Sequence, residues 1–138
     1  MKIDVRFLGK PEIRVDGVPV KLEQKKFWAL LLYVLYNGSA TRDELAEFLW
    51  CDYSEESARR SLRNSLYKLK TEMGADILET KGHSVIRVSP KAVVHKDIDI
   101  FVMEDNDAQM VSLKSYIFLE HFYIRNCPEF DAWVSGIR

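Results

Sequence analysis

Residues 41–73 read TRDELAEFLWCDYSEESARRSLRNSLYKLKTEM, and the pattern is two helices separated by a short turn. Thr41-Arg42-Asp43-Glu44 fits a capping box, with the Thr41 hydroxyl on a backbone N–H and Glu44 reaching back. Leu45, Phe48 and Leu49 form the inner face of a short helix ending near Trp50. Cys51-Asp52-Tyr53 is a tight connection, and Ser54 caps the next helix. Glu55 and Glu56 complement the positive end of that helix's dipole. At about 100° per residue, Ala58, Leu62, Leu66, Leu69 and Met73 share one stripe. Arg60, Asn64, Tyr67 and Thr71 lie opposite, with Arg59, Arg63, Lys68 and Lys70 on the flanks. Gly74 ends the helix.

Upstream, Ile3 to Leu8 and Glu12 to Val15 read as strands, and Asp16-Gly17 is a hairpin turn returning into a third strand, Val18 to Leu22. Gln24 to Tyr36 is apolar on almost every helical face, which requires neighbours on several sides. Asn37-Gly38 supplies its C-cap. Downstream, Ile77 to Thr80 and Val85 to Val88 form a hairpin around Lys81-Gly82-His83-Ser84. The expected fold is α+β: a winged helix-turn-helix with an N-terminal antiparallel meander, three helices and a C-terminal hairpin wing. From Asp97 the character changes. A linker, a helix from Asp107 with Met110, Val111 and Leu113, and a helix opened by Pro128 are expected. The boundary is placed between 1–96, a winged-helix domain, and 97–138, a linker and the truncated start of a helical domain.

The chain has 138 residues, 47% apolar and 30% charged, as expected of a globular protein with a substantial core. No apolar run approaches the roughly 18 residues of a membrane span, and MKIDVRFLGK lacks a signal core. A cytoplasmic protein with no membrane partner is expected. Cys51 and Cys127 show no metal or redox spacing and are read as reduced thiols. Net charge is −1, but residues 1–100 hold 17 Lys+Arg against 15 Asp+Glu, whereas residues 101–138 hold 3 against 6. The positive charge concentrates between Ser57 and Met73.

Two readings of that helix compete: a solvated basic face, and a face that enters double-stranded DNA. DNA reading needs long donors on base edges and cations on phosphates. Arg60, Arg63, Asn64 and Tyr67 are the base-contact candidates; Arg59, Lys68, Lys70, Lys81 and His83 are the phosphate candidates. The lack of acidic partners on that face and the capped helix before it favour DNA. An ordinary exposed hairpin turn is the competing reading of Lys81 and His83. Nothing points to an enzyme, a cofactor or a metal: His83, His95 and His121 lack ligand spacing, and there is no Gly-rich phosphate loop. Trp28, Trp50 and Trp133 are read as packing residues.

The order of elements resembles the OmpR/PhoB-type winged helix, and the local sequence is similar to the SARP (antibiotic regulatory protein) transcriptional activators. The similarity lies in Leu8-Gly9 with Glu12 to Gly17, Lys25-Lys26 to Leu32, Thr41 to Leu45 with Phe48-Leu49-Trp50, and Ser57 to Leu62 running to Lys70. Phe118 to Phe122 and Cys127 to Trp133 resemble the opening of that family's bacterial transcriptional activation domain. On that resemblance Trp133 and Val134 would face helices that follow, or pack back on the winged helix, or pair two chains. It implies a recognition helix over Ser54 to Met73, binding to direct repeats as tandem copies or a homodimer, and RNA polymerase as a partner. Where the family's wing carries Gly-Tyr, this chain has Val85-Ile86. The alternative function is a protein-protein interaction module using the winged helix and the aromatic C-terminal helices.

Overall fold

The computed structural model describes residues 1–22, 24–73, 76–99, 118–120, 122, 124 and 127–137. The chain opens with β1 (Lys2–Arg6), β2 (Glu12–Val15) and β3 (Val18–Pro19), paired antiparallel. Asp16 and Gly17 both take positive φ, 50° and 84°, which the tight turn between β2 and β3 demands. Asp16 Oδ1 also accepts the Lys2 amide at 2.8 Å. The third strand stops at Pro19, short of the expected Leu22, although the Val20 amide still donates to Ile13 O at 2.8 Å. The first strand likewise stops before Leu8, which forms only an isolated bridge to Phe118.

The sheet is not a meander alone. A strand, Val93–Lys96, pairs parallel to β1 with Ile3 opposite Val94, giving an order of three antiparallel strands and one parallel edge. Ile3, Val5 and Ile13 point from this sheet into the core.

Helix α1 (Lys25–Asn37) buries Phe27, Ala29, Leu30, Leu31, Leu32, Val34 and Leu35. Gly38 ends it at φ 88° and gives its amide to Val34 O at 2.7 Å. A short strand, β4 (Ser39–Thr41), then leads into α2 (Arg42–Leu49). Thr41 Oγ1 accepts the Glu44 amide at 3.0 Å. The second half of the expected capping box differs: Glu44 Oε1 accepts the Tyr33 hydroxyl at 2.5 Å. Tyr33, on α1, offers the carboxylate a fixed donor, while the Thr41 backbone belongs to a strand. Helix α3 (Glu55–Met73) follows, then β5 (Leu78–Lys81) and β6 (Val85–Val88), with Val93–Lys96 as β7. β6 lies between β4 and β5, so the expected hairpin is the larger part of a three-stranded sheet. Ile86 is buried at its centre, opposite both Ala40 and Thr80. Gly74, the expected helix stop, and the helix expected from Asp107 lie outside the described residues.

The described C-terminal residues pack into the same core. Asp97 accepts the Phe7 and Leu8 amides on its two carboxylate oxygens, at 2.9 and 3.0 Å. The Leu119 and Glu120 amides donate to Phe7 O and Gly9 O. The last helix, α4 (Pro128–Ile137), lies against α2. Phe7 stacks on Phe118 at 5.5 Å, and Trp133 meets Tyr33, Tyr36, Phe48, Phe118 and Phe130 mostly edge-on. Phe130 and Val134 are buried, as is Trp50; Trp28 is half-buried and its indole N–H donates to Leu22 O at 3.1 Å.

Two outcomes follow from this packing. Phe130→Ala should cost about 3–5 kcal/mol in urea unfolding; a loss below about 1 kcal/mol would mean that α4 is an appendage to the core. Burial, with help from the Glu44 hydrogen bond and charge, pushes the Tyr33 phenol up to about 12. The stabilisation is therefore fully present below the ordinary tyrosine value of 10.0 and is lost as pH rises through about 12. Absorbance titration of phenolate should show one late-ionising tyrosine that Glu44→Gln moves down.

Candidate nucleic-acid interface

Helix α3 is capped as its sequence requires: Ser54 Oγ accepts the Ser57 amide at 3.2 Å. Ala58, Leu62, Ser65 and Leu69 are buried, with Leu66 and Met73 half-buried beside them. Ser65 is tolerated inside because its hydroxyl donates to Ser61 O at 2.7 Å. This inner stripe, packed mainly on α2, turns the opposite face outward.

On that outer face Arg60, Arg63, Asn64 and Tyr67 are all exposed. Tyr67 is 72% exposed. Among the described residues, the side chains of Arg63, Asn64, Tyr67 and Lys68 have no hydrogen-bond or ion-pair partner. They are side-chain donors held on a capped helix, and none of the described residues occupies them.

The helix does have acidic partners, contrary to the expectation from sequence. Arg59 bridges Glu55 at 2.9 Å and Asp43 of α2 at 3.2 Å. Arg60 meets Glu56 at 3.4 Å, and Lys70 meets Asp76 at 3.4 Å. Glu55 and Glu56 stand one helical turn before Arg59 and Arg60, so the residues that suit the helix dipole also reach the arginines. All these pairs are exposed, where such bridges contribute about 0–1 kcal/mol. An incoming phosphate can replace a carboxylate there at little cost. Arg59 is the exception in geometry, because it ties the start of α2 to α3.

Between α2, α3 and the hairpin tip lies an open cleft of about 320 Å³. Arg63 and Arg59 line it from α3, and His83 and Ser84 from the hairpin tip. The fold thus brings base candidate Arg63 and phosphate candidates Arg59 and His83 to one place. Lys81, also exposed, stands at the end of β5 opposite Val85 and does not line the cleft. Lys70 and Tyr67 border a separate hollow against β5. Arg42 is the cleft residue that sequence reading missed. It sits at the first position of α2, where a cation opposes the helix dipole, and that misplacement was the available clue. Its guanidinium donates to Thr80 Oγ1 at 3.1 Å and its amide to Ser84 O, joining α2 to the hairpin. Val85 and Ile86 serve packing, half-buried and buried.

If the outer face is free of structural duty, Arg63→Ala, Asn64→Ala and Lys68→Ala should each change unfolding free energy by less than about 0.5 kcal/mol. Ser54→Ala should cost about 1 kcal/mol. A loss at Arg63 as large as that at Ser54 would give Arg63 a structural role instead.

No protein-family model matches the chain, and no curated protein matches it. Among solved structures it is similar to that of Mycobacterium tuberculosis EmbR in complex with a low-affinity phosphopeptide. The identity is 19% and the TM-score 0.70, over 98% of this chain and 41% of that one. The chain therefore spans about two-fifths of the length of that structure. The likeness is one of fold: helices and two small sheets in a shared arrangement.

Proposed function

We propose that this chain is a sequence-specific DNA-binding transcription regulator of the SARP type, built on an OmpR/PhoB-type winged helix. In this reading α3 enters the major groove and the β5–β6 hairpin is the wing. The observation that carries it is the row of Arg63, Asn64, Tyr67 and Lys68 on a capped helix, without side-chain partners among the described residues, beside a cleft that the hairpin tip completes. Arg60 and Arg63 suit guanine and Asn64 suits adenine, with Tyr67 alongside them. Lys68, Arg59, Lys70, Lys81 and His83 supply phosphate contacts, and Arg42 joins them. The proposal extends to an activator that binds direct repeats in tandem or as a homodimer, engages RNA polymerase, acts in the cytoplasm and performs no catalysis. The fold shared with EmbR supports the architecture of this reading and nothing finer.

The competing reading, a protein-interaction module using the aromatic tail, has less to stand on. Phe118, Phe122, Phe130 and Val134 are buried within the chain itself, so they offer no free surface.

Selection from random oligonucleotides at fixed salt tests the proposal. A motif should be enriched, and the Arg60→Ala/Arg63→Ala variant should lose it. Binding should weaken with salt at a log–log slope of about −0.9 per phosphate contacted. Arg63→Ala alone should cost about 1–3 kcal/mol on the selected site. An equal loss on random DNA would remove Arg63 from base reading, and no enrichment by wild type would remove the proposal.

A further inference from the structure

We propose that Cys51 and Cys127 are an oxidisable thiol pair that closes an intramolecular disulfide between the α2–α3 turn and the start of α4. The two residues are remote in sequence and brought together by the fold. Cys51 is exposed in the turn between Trp50 and Tyr53. Cys127 is 1% exposed and opens α4, its carbonyl accepting the Asp131 amide at 3.1 Å. The Cys127 thiol donates to Leu49 O at 3.2 Å, so its sulfur sits on the last residue of α2. Successive Cα atoms are about 3.8 Å apart, which puts the Cys51 Cα within about 10 Å of that sulfur. A disulfide needs Cα atoms about 4–7 Å apart. Closing the bond therefore requires the exposed Cys51-Asp52 turn to bring the Cys51 sulfur onto that of Cys127.

The surroundings mark the same place. The Lys26 ammonium lies 5.4 Å from the centre of the Trp50 ring and 5.1 Å from that of Tyr53, the residues that bracket Cys51 and Asp52. Burial pushes the Cys127 thiol up; the Lys26 charge works against this, and Cys51 and Asp52 add to it. The two thiols differ in access, which divides their roles. A peroxide reaches exposed Cys51, transfers one oxygen to its sulfur and leaves as water, giving the sulfenic acid. The Cys127 sulfur then attacks the Cys51 sulfur; the sulfenic oxygen departs as water with the Cys127 proton. Two thiols and one peroxide give one disulfide and two waters. The cross-link would hold α4 to the turn that leads into the Ser54 cap of α3. In a reducing compartment such a bond is transient.

The test is hydrogen peroxide treatment of the full chain, followed by intact mass and non-reducing peptide mapping. The expected product is a monomer about 2 Da lighter with a Cys51–Cys127 linked peptide, restored by dithiothreitol. It should melt at a higher temperature than the reduced chain. In Cys127→Ala, dimedone should trap a sulfenic acid on Cys51; in Cys51→Ala, Cys127 should stay reduced. Should either variant fail to fold, the wild-type map alone decides. Two persisting thiols, a Cys51 sulfinic acid about 32 Da heavier, or disulfide-linked dimers would each overturn the proposal.

Discussion

Helix α1 cannot exist by itself, because it is apolar around its whole circumference. Seven of its residues are buried, and they face in different directions. Such a helix is stable only when walled in on several sides, and the remaining elements are those walls. The first sheet contributes Ile3, Val5 and Ile13, α2 contributes Leu45 and Leu49, and the second sheet contributes Ile86 to the same core. The last side is closed by the C-terminal residues: Phe118 against Phe7 and Tyr36, and Trp133 against Tyr33 and Tyr36. The aromatic tail is best understood as part of what α1 requires.

That arrangement leaves α3 with a different duty. It buries only a narrow stripe, mostly on α2, and so keeps most of its circumference outside. A helix so anchored can carry exposed arginines without weakening the core, since surface charges contribute little to stability. The acidic residues one turn earlier hold Arg59 and Arg60 in place loosely enough to be exchanged. Rigidity comes from the cap and the inner stripe, and chemistry is left to the outer face.

What could be read in the sequence was what is decided locally. The Asp16-Gly17 turn, the Gly38 stop, the Thr41 and Ser54 caps and the α3 stripe each depend on neighbours a few residues away, and each stands where its residues point. What escaped was decided at long range. β7 pairs with β1 across most of the chain, and its Val93-Val94 shows no alternation. β4 is three residues long and exists only because β6 comes alongside. Glu44 turned to Tyr33 because α1 places a phenol within reach. On the outer face the same limit applied: the residues of α3 were legible from their helical spacing. Arg42 and the cleft it shares with His83 needed the hairpin to be folded against α2.

In the proposed function, the outer face of α3 and the hairpin tip form one nucleic-acid-facing surface. Backbone amide NMR of the full chain, titrated with a short DNA duplex at moderate salt, addresses it directly. The largest shift changes are expected at Arg60, Arg63, Asn64 and Tyr67, with further changes at Arg42 and His83 and little at Trp133 or Val134. Shift changes centred on α4, or none on α3 at concentrations where DNA is bound, would contradict it.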